Sequence, residues 1–135
     1  MCPEDLAAVV ESWTELQFRR EALIDRLAAS YRVVLSPQTA AQRACWLVDA
    51  VAELVCLLTA PSQLAARARD VAATFPQPSA APTFVLDGHA WMIAARQVSG
   101  YWSDCLEGSW RHAWLLLSEV LANESLSPFA GSRDQ

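Results

Sequence analysis

Apolar residues recur along this chain at intervals of three and four, the spacing that places them on one side of a helix. Leu6, Val9, Val10, Trp13 and Leu16 make the first such face, and Pro3, Glu4 and Asp5 ahead of it supply good first-turn chemistry. A second helix, about Arg19 to Leu35, carries Leu23, Ile24, Leu27, Ala28, Tyr31, Val34 and Leu35 on its inner side, and "SPQT" stops it. The third, about Ala40 to Leu58, is apolar nearly all round, which predicts a central helix covered on more than one side. "TAPSQ" then breaks the chain and opens a shorter helix that runs to about Ala73.

The stretch "VAATFPQPSAAPTFVLDG" interrupts this pattern, because Pro76, Pro78 and Pro82 cannot lie inside one helix. A long helix follows from about Thr83, with Phe84, Gly88, Trp91, Ala95, Val98 and Trp102 on one stripe. "SGYWSD" ends it and offers Ser103 or Asp104 as a cap for the last helix, whose stripe is Leu106, Trp110, Ala113, Trp114, Leu117 and Leu121. No stretch alternates as a strand would. The fold class expected is all-α, with residues 1–123 as one domain and 124–135 as a polar, disordered tail.

Composition narrows the classes. The chain has 135 residues, 53% of them hydrophobic, enough for one cored domain and too few for two. Its net charge of −5 argues against tracking nucleic-acid phosphates, and no apolar run reaches the about 18 residues that cross a bilayer. The acidic start is unlike a signal peptide, so a cytoplasmic location is expected. Cys2, Cys45, Cys56 and Cys105 show no metal-ligand spacing, and Cys45 and Cys56, set among apolar residues, are expected to pack as buried free thiols. The two histidines, His89 and His112, have no nucleophile motif beside them, and the four glycines form no phosphate loop. The acids read as solvated surface charge. No catalytic residue, metal site or enzyme activity is expected.

Several short stretches, in order, resemble a bacterial globin of the flavohaemoglobin-like type. "LAAVVESWTEL" is similar to that family's opening helix, "AAQRACWLV" to the start of its distal helix, and "APSQLAARARDVA" to the segment leading into its proximal helix. "TFVLDGHAWMI" resembles the entry to the penultimate helix, with Phe84 and Gly88 matching, and "LEGSWRHAWLLLSEVL" the final one, with Trp110, Ala113 and Trp114 matching. The resemblance implies a globin-like fold with helices packed three on three, the loop between the second and distal helices being shortened. It also implies that Gln42 overhangs a haem.

The departures from that family are informative. Its axial histidine lies a fixed count before the aromatic that begins the penultimate helix; that count reaches Thr74 from Phe84, and counting forward from Pro61 reaches Phe75. Residues 66 to 80 hold no histidine, cysteine, methionine or tyrosine, and haem iron needs such a donor. The porphyrin-stacking phenylalanine of the family is missing from "LSPQTAAQR" as well. The resemblance therefore implies a globin without haem, working as a sensor or as a regulatory module with a signalling partner protein. The former pocket would be lined or filled by Gln42, Cys45, Trp46, Thr74, Phe75 and Trp91. The alternative is a haem globin that binds oxygen or another diatomic gas through an unusual ligand, His89 or Cys45. Trp91, Trp102, Trp110 and Trp114 all fall on the last two long helices, and His89, Trp91 and Trp102 spread over a wider arc than one stripe needs, which suggests a homodimer through these helices, as in related sensor globins.

Overall fold

The computed structural model describes residues 2–74 and 85–133, with side chains described for 2–74 and 87–123. Six α-helices follow one another: α1 (Pro3–Leu16), α2 (Arg20–Tyr31), α3 (Pro37–Leu54), α4 (Pro61–Ala73), α5 (Val85–Val98) and α6 (Asp104–Arg133). Single 3₁₀ turns, Gln17–Arg19 and Val55–Leu57, follow α1 and α3. Among the described residues there is no strand, so the chain is all-α. No helix among them is long and apolar enough to cross a membrane.

The starts of the helices are written in local chemistry. Pro3, Pro37 and Pro61 each open a helix at its first turn, where a missing N–H costs nothing. Ser36 caps α3 by accepting from the Thr39 N–H at 3.3 Å, and Ser103 caps α6 by accepting from the Leu106 N–H at 3.1 Å. The second helix stops earlier than its apolar spacing predicts. After Tyr31 the chain turns, with Leu35 N–H donating to the Tyr31 carbonyl at 2.8 Å, and Val33 and Val34 point to solvent at 83% and 62% exposure. Ser36 must be extended ahead of Pro37, so the helix cannot run on into α3. At the other end of the chain, the α6 backbone stays helical to Arg133, through the stretch expected to be a tail.

Helix α3 is central, as its nearly unbroken apolar surface predicts. It buries Ala40, Ala44, Trp46, Leu47, Val48, Ala50, Val51 and Leu54, a wider arc than one partner helix can cover. It packs on α2 and α4, while α1, α4 and α5 all pack on α6, and α2 also meets α5. Trp91 of α5 stands between Trp13 of α1 and Trp110 of α6, with ring centroids 6.1 and 5.3 Å away. Trp110 Nε1 donates to Ser12 Oγ at 3.1 Å, so this aromatic cluster also ties α1 to α6.

Where α5 crosses α6, Gly88 lies against the indole of Trp114. A Cβ there would sit 2.2 Å from Trp114 Nε1 and 2.4 Å from Cδ1, well inside contact distance, and the ring is itself buried. Alanine in place of a helical glycine ordinarily gains about 1 kcal/mol. Here overpacking of about 1–3 kcal/mol or more works against that gain. Gly88→Ala is expected to lower the urea midpoint at unchanged m-value; a midpoint at or above the parent's would show that Trp114 moves aside freely.

Candidate functional site

The residues singled out in the sequence do not converge. Gln42 and Cys45 are exposed, and with Asp49 they form an outward stripe on α3 at helical spacing. Cys56 is exposed too, so the expectation that Cys45 and Cys56 pack as buried thiols is overturned: their apolar sequence neighbours face inward and they do not. His89 is exposed on α5, between inward-facing Gly88 and Ala90. Trp91 belongs to the α1–α5–α6 cluster. Phe75 lies outside the described residues.

Trp46 and Thr74 do meet. Trp46 Nε1 on α3 donates to the Val71 carbonyl at 3.2 Å and to Thr74 Oγ1 at 3.1 Å, at the C-terminal end of α4. The Thr74 hydroxyl in turn donates to the Val71 carbonyl at 2.7 Å. This one indole joins the helix that the globin resemblance reads as distal to the end of the segment that it reads as leading into the proximal helix. A porphyrin with an axial ligand needs those helices held apart, and it needs a nitrogen, sulfur or phenolate donor. A threonine hydroxyl already hydrogen-bonded to both neighbours is neither a spacer nor a donor of that kind. Thr74 therefore offers no axial donor at this contact.

A polar cluster that the sequence reading passed over lies between α2, α3 and α5. Arg43, the neighbour of Gln42, turns inward from α3 and is 8% exposed; Asp87, in the first turn of α5, is fully buried. Arg43 Nε donates to Asp87 Oδ1 at 2.8 Å and its Nη2 to Oδ2 at 2.9 Å, the two-pronged geometry that suits a guanidinium to a carboxylate. The phenol of fully buried Tyr31 on α2 donates to Asp87 Oδ1, and the Arg43 guanidinium lies 5.4 Å from the centre of its ring. Burial, with the Asp87 charge next, pushes the Tyr31 phenol far above its usual range, so it stays a proton donor. Burial alone would depress the Arg43 guanidinium, but the hydrogen bonds and charge of Asp87 outweigh it and the net direction is upward. Asp87 thus holds three helices together by accepting from two of them. The signal was present in the sequence: positions 40, 43, 44 and 47 share one face, and Arg43 interrupts its apolar run.

A second polar group pins the start of α1 to α6. Asp5 Oδ2 lies 2.7 Å from His112 Nδ1, and Ser109 Oγ donates to Asp5 Oδ1 at 2.8 Å. Hydrogen bonding from His112, then Ser109 and Cys2, holds the Asp5 carboxyl down at about 2. His112 is exposed, and it is paired with Asp5.

The tryptophans of the last two long helices are spent on the interior. Trp91 and Trp110 are fully buried, Trp114 is 8% exposed, and Trp102 is half-buried against the core. Among the described residues these four tryptophans therefore form no exposed patch through which α5 and α6 would pair. No group of histidines, cysteines and acids that could hold a metal ion occurs among the described residues. Comparison of the chain with family models, with curated proteins and with solved structures finds no match.

Proposed function

We propose that this chain is a globin-like helical domain that does not hold haem and acts as a regulatory, protein-interaction module. The observation that carries the reading is the Trp46 bridge, which joins α3 directly to the end of α4 through Val71 and Thr74. The order of helices and their pairings, first with last, second with third and fifth, and fourth with last, support a globin-like arrangement. The interior position next to Gln42 is occupied by Arg43, whose charge is met by Asp87 rather than left for a ligand. What the domain offers to other molecules is then its outer surface.

An absorbance spectrum tests this. Protein purified from cells supplied with haem precursor is expected to show no Soret band after gel filtration. A strong band that survives filtration and disappears in His89→Ala or Cys45→Ala would establish the unusual-ligand alternative instead.

A further inference from the structure

The outer face of α1 borders a furrow in which none of the described helices lies. Two concavities, about 470 and 220 Å³, adjoin along it and share Ala8 and Leu106 in their lining. One wall is α1; the other is the turn after α5 and the first turns of α6. Glu4, Glu11 and Glu15 stand along the first wall and Asp104 on the second, with Asp5 at the inner edge. His112 is the one basic side chain that lines it among the described residues, and it is bound to Asp5. Arg96 and Arg111 are held outside it, both on Glu107.

Three features mark this furrow. Glu11 and Glu15 are four residues apart on one helix, where like charges repel, and neither has a cation of this chain paired to it among the described residues. Among the described residues Glu15 accepts from Ser99 Oγ and the Gly100 N–H, at 3.2 and 3.1 Å, which fixes the turn carrying Tyr101. Tyr101 is held out on that turn at 81% exposure, at the rim. Gly108, inside α6, faces the furrow with nothing within 4 Å of where a Cβ would lie. A helical glycine weakens its helix, and no neighbour among the described residues requires this one. Close approach of another backbone would.

We infer that the furrow between α1 and the start of α6 receives a basic helix from a partner protein. This rests on the interaction-module reading above and names the chemistry of the partner. Carboxylates along both walls select arginine or lysine, the Tyr101 ring offers a face to one such cation, and Ala8 with Gly108 keeps the floor low enough for a helix. From Glu4 to Glu15 the furrow follows about 16 Å of helix, three turns.

The test is a titration of the full chain, labelled for nuclear magnetic resonance, with a synthetic amphipathic helix of about 15 residues, apolar on one face and arginine-rich on the other. A second peptide carries glutamate in place of arginine. Shifts are expected at the amides of Glu11, Gly100, Tyr101 and Gly108 with the first peptide only. Glu4→Lys with Glu11→Lys, or Gly108→Leu, is expected to weaken binding about tenfold or more. Gly108→Ala is expected to weaken it while the thermal midpoint stays at or above the parent's, which a purely structural glycine would not allow. Shifts mapping elsewhere, equal binding of the acidic peptide, or unchanged affinity in the variants would overturn the inference. So would dimerisation of the free chain that protects the same amides, since the occupant would then be a second copy. A colourless protein whose variants bind as the parent does sinks the furrow alone; a retained Soret band sinks the reading beneath it.

Discussion

Asp87→Ala is expected to cost about 3–5 kcal/mol, the range for breaking a buried ion pair by removing one partner. The size follows from what stays behind. Arg43 loses the carboxylate that takes two of its N–H groups, and the Tyr31 phenol loses the acceptor of its proton, both in an interior almost closed to water. A buried donor without an acceptor costs about 1–3 kcal/mol on its own, and a buried cation more. Against a typical total stability of about 5–15 kcal/mol, that loss leaves a domain near its limit.

The complementary experiment separates stability from arrangement. Replacing the whole set, as Tyr31→Phe, Arg43→Met and Asp87→Leu together, removes every polar group at once and is expected to come within about 1 kcal/mol of the parent or exceed it. Urea denaturation of the single and triple variants decides between the outcomes. If the single variant loses under about 1 kcal/mol, water must reach the site and the ion pair is not buried in effect. If the triple variant is as unstable as the single, the polar contacts hold α2, α3 and α5 together in a way that apolar packing does not replace.

Much of the fold was legible because helix faces and helix starts are local facts. The stripe through Leu6, Val9, Trp13 and Leu16 needs only a period, and Pro37 after Ser36 needs only the geometry of two residues. The all-round apolar surface of α3 announced its central place, and its wide buried arc agrees. The early end of α2 was harder, because Val34 and Leu35 are apolar and keep the period while the backbone has already turned.

The site was much less legible, for a different reason. Whether an apolar stretch turns Gln42 or Arg43 inward depends on a rotation of about 100° per residue, which follows from the 3.6-residue turn, and a one-position error exchanges a surface residue for a core one. Base rates misled as well. Acids are usually solvated, yet Asp87 is fully buried because Arg43 and Tyr31, from distant parts of the chain, meet it there. Cysteines are usually buried, yet Cys45 lies on the outward stripe. Composition tells what a residue prefers. Only the packing of three helices tells what it finds.

Trp91→Ala is expected to be the other severe lesion, again at about 3–5 kcal/mol, since a fully buried large aromatic leaves a cavity its neighbours cannot fill. The neighbours are themselves fixed: Trp110 is anchored to Ser12 at 3.1 Å, and Trp13 is wedged between α1 and the core. Collapse onto the hole would break the first contact or strain the second. Trp91→Phe should behave differently. The Trp91 Nε1 proton is buried without a hydrogen-bond acceptor among the described residues, a burden of about 1–3 kcal/mol that phenylalanine does not carry. Relief of that burden offsets part of the lost ring contact with Trp13 and Trp110, so Trp91→Phe is expected to lose less than half of what Trp91→Ala loses. Urea midpoints of the two variants give the comparison directly. Equal losses would mean that the indole N–H is satisfied in solution, and a small loss in both would mean that the α1–α5–α6 junction is held by its other contacts and not by the tryptophan cluster.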